Sequence, residues 1–561
     1  MRMNSSAPPK TEGPRPGRSF GLLFIFGIAA AALLGQGTGP RAPRVLVPDI
    51  PDEEIVRAYE RAAVQNVLAA VNPKVFFGYW SVCADGQGFG FGYTYPSLDG
   101  HQMSDALLRL GQVDVVKANW DYVRSFQHPD GSLPIAVLPD LAGKMAGEAD
   151  HLVRVEDNGG LYRHWVPGNP LAALAAPTYI QNADVIFRHT LDAAWLKSQI
   201  GSVDLAADAL SALTDAHGQV KGAGYYIERP ARIDADGVTQ CHAIDAFRRA
   251  AALNRAAGDA AKARRYEELA ERIRSRFLSR FWVGDHFAEY DHPERGLIDN
   301  HGLTDVNWAA LALDVATPEQ RDILWPKLKD EKAFYYGGMP TGIATRPEAY
   351  EDWEFTHPDR HDLAAMGRVW YLEAQARARM GDAEGLVRGI RKVADVGRAG
   401  GYFWRERYQP SPGGVLPNGP NTYCEYPANL IRIVQRFLLG VEEEIDGSLT
   451  IAPVAPGEFW RRGFGQTLEW RGRTLRYRLG ADGIAGTYAG PSQQRLGVRL
   501  PPGADSSKAR LILDGRPASC LESEGLIFVT LPPAPAERPS QFEIIRKAER
   551  TSQAANAARR P

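Results

Sequence analysis

Four stretches of this 561-residue chain set carboxylates among aromatic rings and glycines. The first, GYWSVCADGQGFGFGYTYPSLDGHQMSD, carries Trp80 and Tyr95 in a glycine-rich loop ahead of Asp99, His101 and Asp105. A carboxylate beside aromatic faces accepts two hydrogen bonds at once, which suits it to hold a polyol. Asp99 follows the aromatic loop directly and fits that role, whereas Asp105 reads as a helix cap. The second, SFQHPDGSLP, ends a helix, turns at Asp130-Gly131 and aims Gln127 toward a pocket. The third, GYYIERPARIDADG, holds Glu228, Asp234 and Asp236 beside Tyr225 and Tyr226. Apolar or like-charged neighbours raise a carboxyl pKa, as a general acid requires, and caps or turn residues account for at least one of these three. The fourth, GGYFWRERYQPSPGG, sets Glu406 between Trp404 and Tyr408, with Glu425 as a nearby alternative. Two carboxylates suffice to cleave a glycosidic bond. One protonates the leaving oxygen, and the other attacks the anomeric carbon or activates water.

Helices must position these loops. VDLAADALSALTDA, DAAKARRYEELAERIRSRFLSRFW and DLAAMGRVWYLEAQARARMGD repeat apolar residues at spacings of three and four. Long helices alternate with aromatic loops across residues 45–440, which predicts stacked helical hairpins. Near Gly440 the pattern changes. SLTIAPV, QTLEWRG, RTLRYRLG, RLGVRLP, ARLILDG and LIFVTLP alternate with a period of two between Gly, Pro and Asp turns. Residues 443–547 therefore read as an antiparallel β-sandwich, and 548–561, which lack large apolar residues, as a disordered tail.

At the N-terminus Arg2, Lys10, Arg15 and Arg18 precede the apolar run Phe20–Leu34. Residues 1–40 thus read as a signal peptide or N-terminal membrane anchor with its linker, and the protein as exported, periplasmic or extracellular. The net charge of −2 gives no general field favouring nucleic acid. The four cysteines, Cys83, Cys241, Cys424 and Cys520, form no CxxC pair, and no His/Cys spacing suggests a metal site. No cofactor is expected.

The order of these segments resembles six-hairpin glycosidases, most of all family 63 and more loosely the α-L-rhamnosidases, over residues of about 60–455. YPSLDGHQ and SFQHPDGSLP look like that group's early pair of loops, which makes Asp99 the counterpart of the sugar-holding Asp. GYFWRERYQPSPGG fits the late Glu-x-Tyr-x-Pro motif through Glu406, Tyr408, Pro410 and Gly413, which implies that Glu406 is the general base. YYIERPARID occupies the place of the acid-bearing segment, with Glu228 where the family has Asp and with Asp234 or Asp236 as alternatives. The resemblance implies that the hairpins close into an (α/α)6 barrel, and that the protein is an inverting, exo-acting glycoside hydrolase on an oligosaccharide or glycoside. Its subsite is shaped by Asp99, Trp80, Tyr95, His101 and Gln127, with Trp404 and Tyr408 as walls. Two other classes use similar residues. A polysaccharide lyase on the same helical toroid would recruit His101, His242 or Tyr226, and a non-catalytic glycan-binding protein would need only the aromatics.

Overall fold

The computed structural model describes residues 45–72, 79–84, 98–133, 152–154, 162–164, 172–222, 235–330, 334, 339–355, 360, 363–411, 414–504 and 509–546. The helices in chain order are α1 (Glu53–Arg61), α2 (Leu98–Arg109), α3 (Val113–Arg124), α4 (Ala172–Thr190), α5 (Ala193–Ala212), α6 (Gly237–Ala257) and α7 (Ala260–Arg280). There follow α8 (Asp305–Ala312), α9 (Pro318–Leu328), α10 (Gly367–Arg379), α11 (Ala383–Ala399), α12 (Glu425–Ile433) and the short α13 (Gly457–Arg462). The even-numbered helices form the inner ring. Each packs on the next, and α12 closes on α2. The odd-numbered helices α3 to α11 lie outside, and α1 completes the sixth hairpin through a π-helical turn, Ala62–Val67, packed on α12. This is the (α/α)6 barrel.

Sequence patterning explains which helix goes where. α7 buries only Ala263, Tyr266, Leu269, Ala270, Ile273 and Phe277, a single stripe at helical spacing. Its other faces carry Arg and Glu, so it is stable only as an outer helix. α6 buries nearly its whole length from Gly237 to Ala251, as an inner helix must. Starts are fixed chemically: Asp52, Asp192, Asp236, Asp259 and Asp382 each accept a backbone N–H of the first turn. Asp105 is not a cap. It lies inside α2 and pairs with Arg109, Arg432 and Arg436 at 3.1, 2.7 and 3.0 Å.

Strands occupy the gaps between helices and the C-terminal part. Two hairpins, β1–β2 (Leu152–Arg154, Tyr162–His164) and β3–β4 (Tyr290–His292, Gly296–Ile298), join barrel helices. A three-stranded sheet combines β5 (Ala365–Met366), β6 (Arg407–Ser411) and β7 (Gly414–Asn418). The C-terminal sandwich has two sheets. The five-stranded one contains β8 (Val441–Glu443), β9 (Leu449–Ile451), β13 (Gln494–Val498), β16 (Leu521–Ser523) and β17 (Leu526–Leu531). The six-stranded one contains β10 (Phe464–Trp470), β11 (Arg473–Gly480), β12 (Gly483–Ala489), β14 (Ala509–Leu513), β15 (Arg516–Ala518) and β18 (Ser540–Arg546). All of these pairs are antiparallel except β9 with β13, which run parallel. Along β11, Leu475, Tyr477 and Leu479 point inward between exposed Arg476 and Arg478, the expected alternation. One apolar core runs from the barrel into the sandwich. At the junction Gln435 donates to Tyr59 and Gln466, and Gln466 donates to Tyr477. Among the described residues no helix is long and apolar enough to cross a membrane.

Candidate active site

Three inner helices begin at one point. Asp99 stands in the first turn of α2, Arg368 in the first turn of α10, and Glu425 opens α12. The small sheet brings the fourth member. β5 runs directly into α10, and its register, Ala365 opposite Tyr408 and Met366 opposite Arg407, sets Glu406 beside Arg368. The outcome is three carboxylates around one guanidinium. Arg368 Nη2 lies 2.7 Å from Glu425 Oε2, 3.8 Å from Glu406 Oε1 and 4.0 Å from Asp99 Oδ1. The Arg368 backbone N–H also donates to Glu425. Arg407 Nη2 holds Glu406 Oε1 at 3.0 Å. The Tyr423 hydroxyl donates to Asp99 Oδ1 at 3.1 Å.

The electrostatics follow from burial. Desolvation pushes the Asp99 carboxyl above its ordinary value. Arg368 opposes this, and the charge on Glu406 adds to it. Burial alone would lower Arg368, yet Glu425 and Asp99 outweigh it and hold the guanidinium well above its usual value. Burial also pushes the Tyr423 phenol well up, so it remains a donor to Asp99 at any working pH.

Glu406 is seated by a glycine. Gly419 has φ +76°, and a Cβ there would lie 2.7 Å from Glu406 Oε2. The turn at the end of β7 thus needs glycine both for its left-handed backbone and for the carboxylate packed on it. Arg405 Nη1 donates to the Gly419 carbonyl at 3.1 Å and fixes the turn from the other side. The segment before α12 is pinned in turn: Cys424 N–H donates to the Val82 carbonyl, and Ala84 N–H to that of Thr422. The start of the first aromatic loop is thereby joined to the carboxylate cluster.

The other predicted residues are placed in several ways. Glu228, Asp234 and Tyr95 lie outside the described residues. Asp236 caps α6, with Oδ2 accepting both the backbone N–H and the hydroxyl of Thr239. Trp404 is placed in the core rather than on a wall. It is 0% exposed, donates Nε1–H to Val393 O and packs against Gly397. Tyr408 is also buried, its hydroxyl accepting the Arg405 N–H. Trp80 is buried and pairs through its backbone with Val71. Gln127 spends its carboxamide on structure: Nε2 donates to the Gly131 and Ser202 carbonyls, and Oε1 accepts the Ser202 hydroxyl at 2.6 Å. This ties the loop to outer helix α5, not to the carboxylates. His101 follows Asp99 by two residues in α2, about half a turn on, and lines the axial cavity. Sequence reasoning missed Arg368, Arg407 and Tyr423. The one available signal for Arg368 was an arginine opening an otherwise apolar helix, MGRVWYL.

Among the described residues no group of three His, Cys, Asp or Glu is arranged to hold a metal ion. All four cysteines are free thiols, three of them buried.

No family model matches the chain, and no curated protein matches it in sequence. Solved structures do resemble it. An α-L-rhamnosidase from Dictyoglumus thermophilum superimposes with a TM-score of 0.58 at 12% identity, over 90% of this chain and 50% of its own. A family 78 rhamnosidase of Bacillus sp. GL1 gives 0.56 at 13% identity, over 82% of this chain and 43% of its own. The chain thus spans half or less of either rhamnosidase. A family 63 mannosylglycerate hydrolase from Thermus thermophilus gives 0.47 at 12% identity, over 68% of this chain and 98% of its own. At such identities the two rhamnosidases establish architecture alone: the chain shares their fold over most of its length, here an (α/α)6 barrel joined to a C-terminal β-sandwich.

Proposed function

We propose that the protein is a glycoside hydrolase, inverting and exo-acting, on an oligosaccharide or glycoside. The observation that carries the reading is the convergence of Asp99, Glu406 and Glu425 on Arg368 at the N-terminal ends of three inner helices. Glu425 is bound to Arg368 on both its oxygens and is 3% exposed, so it acts as the structural counter-ion. Asp99 and Glu406 are the carboxylates left to meet a substrate. Glu406, anchored at Oε1 by Arg407, takes a proton from water as that water attacks the anomeric carbon. Asp99 accepts hydrogen bonds from ring hydroxyls, the usual way a carboxylate orients a sugar. Glu228, with Asp234 in reserve, protonates the leaving oxygen in this scheme. The apolar run Phe20–Leu34 behind a basic flank supports export, to the periplasm or the cell exterior, by a cleaved signal or an anchor.

The test is a turnover screen of α- and β-linked glucosides, mannosides, rhamnosides, galactosides and uronides, with the product anomer read by NMR in the first minutes. Hydrolysis with inverted configuration supports the scheme. Retention would make the second carboxylate a nucleophile instead of a base. An unsaturated product absorbing in the ultraviolet would replace hydrolysis with elimination.

A further inference from the structure

Below the carboxylate cluster the inner helices enclose a cavity of about 410 Å³, within the range of small-molecule sites. It runs along the barrel axis. α10 lines it from Arg368 at its N-terminal end to Arg379 at its C-terminal end, a rise of about 16 Å at 1.5 Å per residue. The far half is unlike the near one. Its wall carries Arg249, Arg379, Arg432, Arg436 and Arg499, against only Asp245 and Glu442. His101 and His242 add no charge, because burial, above all, lowers both, His242 to about 3.

Three of these guanidiniums are held by acids behind or within the wall. Arg432 and Arg436 bind Asp105 at 2.7 and 3.0 Å, Arg436 Nη1 also binds both oxygens of the lining Glu442, and Arg249 binds the lining Asp245 at 2.7 Å and the fully buried Asp184. Asp105 and Asp184 lie behind the lining, while the cations form it. Arg432 is further fixed by stacking on Tyr371, 3.8 Å from the ring centroid. Arg499 is exposed and makes no ion pair among the described residues, whereas Arg379, its side chain 43% exposed, donates Nε–H to the Ala312 carbonyl and has Nη1 3.6 Å from Asp314. Arg249, a planar guanidinium locked through Nε and Nη1, presents its remaining N–H groups at little entropic cost, the arrangement that recognises oxyanions, while every nitrogen of Arg432 and Arg436 is already engaged.

We propose that this far half of the axial cavity binds a phosphoryl oxyanion, either free phosphate or the phosphate of a hexose monophosphate. Arg249, Arg379 and Arg499 are the direct donors, and Arg432 and Arg436 supply the field. The site is separate from the carboxylate cluster and independent of the reaction assigned to it.

Calorimetric titration of the full chain with inorganic phosphate, and separately with glucose 6-phosphate, tests this at ionic strength matched with sodium chloride. Saturable one-to-one binding of at least one of them is expected. Arg499→Gln, at an exposed position, should weaken it about tenfold or more, the loss of a charge-assisted hydrogen bond. Ala378→Leu, which narrows the cavity, should weaken it as well. Equal binding of both probes makes the free anion sufficient, and binding of the sugar phosphate alone identifies that as the ligand class. No saturable binding of either probe, or binding that both variants leave unchanged, overturns the proposal.

Discussion

Replacing Arg368 by Met puts the cluster under direct strain. Glu425 loses the partner that binds both its oxygens while remaining buried. Removing one member of a buried ion pair costs about 3–5 kcal/mol, most of it the desolvation of the charge left behind. The same change takes away the cation that opposes the rise of Asp99. A carboxylate whose folded pKa stands above its unfolded value penalises the fold while ionised, and that penalty is relieved as pH falls through the folded pKa. Urea unfolding of wild type and Arg368→Met at pH 7.5 should therefore differ by about 3–5 kcal/mol. At pH 5 the gap should narrow. The double variant Arg368→Met/Glu425→Gln should recover much of the loss at either pH, because no unpaired charge remains at Glu425. A loss under about 1 kcal/mol at pH 7.5, the range of exposed pairs, would show that the cluster is solvated and the reasoning wrong. A gap that widens toward acid would refute the sign.

Other positions give separable outcomes. Gly419→Ala forces a left-handed backbone on a residue with a Cβ, at about 1–2 kcal/mol, and pushes Glu406 aside. Its turnover should fall about a hundredfold with the fold retained, since small misplacements of a reacting group are that costly; unchanged kcat would remove Gly419 from the account. Tyr423→Phe deletes the hydroxyl that stabilises the Asp99 anion, so the acid limb of the pH–activity profile should move up by about one unit. A limb that stays or moves down contradicts the assignment. Gln127→Ala should lower stability by about 1–3 kcal/mol and leave KM alone, because its carboxamide binds α5 and its own turn. A raised KM with intact stability would return Gln127 to the pocket.

The architecture was legible because it depends on periodicity. The stripe of α7 and the alternation of β11 are visible in their letters, and each has one stable placement. The parallel pairing of β9 with β13 was not, since it depends on partners almost fifty residues apart. Asp99 and Glu406, singled out for their aromatic and glycine surroundings, do come together around Arg368. Those same surroundings misplaced Trp404. A tryptophan next to a carboxylate reads equally well as wall or core, and only the close approach of Gly397 decides for core. Arg368, Arg407 and Tyr423 escaped because their role lies in contacts. Arg368 meets Asp99 and Glu425 from positions far apart in the chain, a juxtaposition that ring closure creates and no local pattern records.

The most direct measurement is kcat on the first glycoside found to turn over, for wild type and Glu406→Gln, with equal unfolding midpoints and equal sugar binding as controls. Loss of a general base should lower kcat by about 10²–10⁴ while KM changes little. A Gln variant within about tenfold of wild type would contradict the assignment of Glu406 as the base.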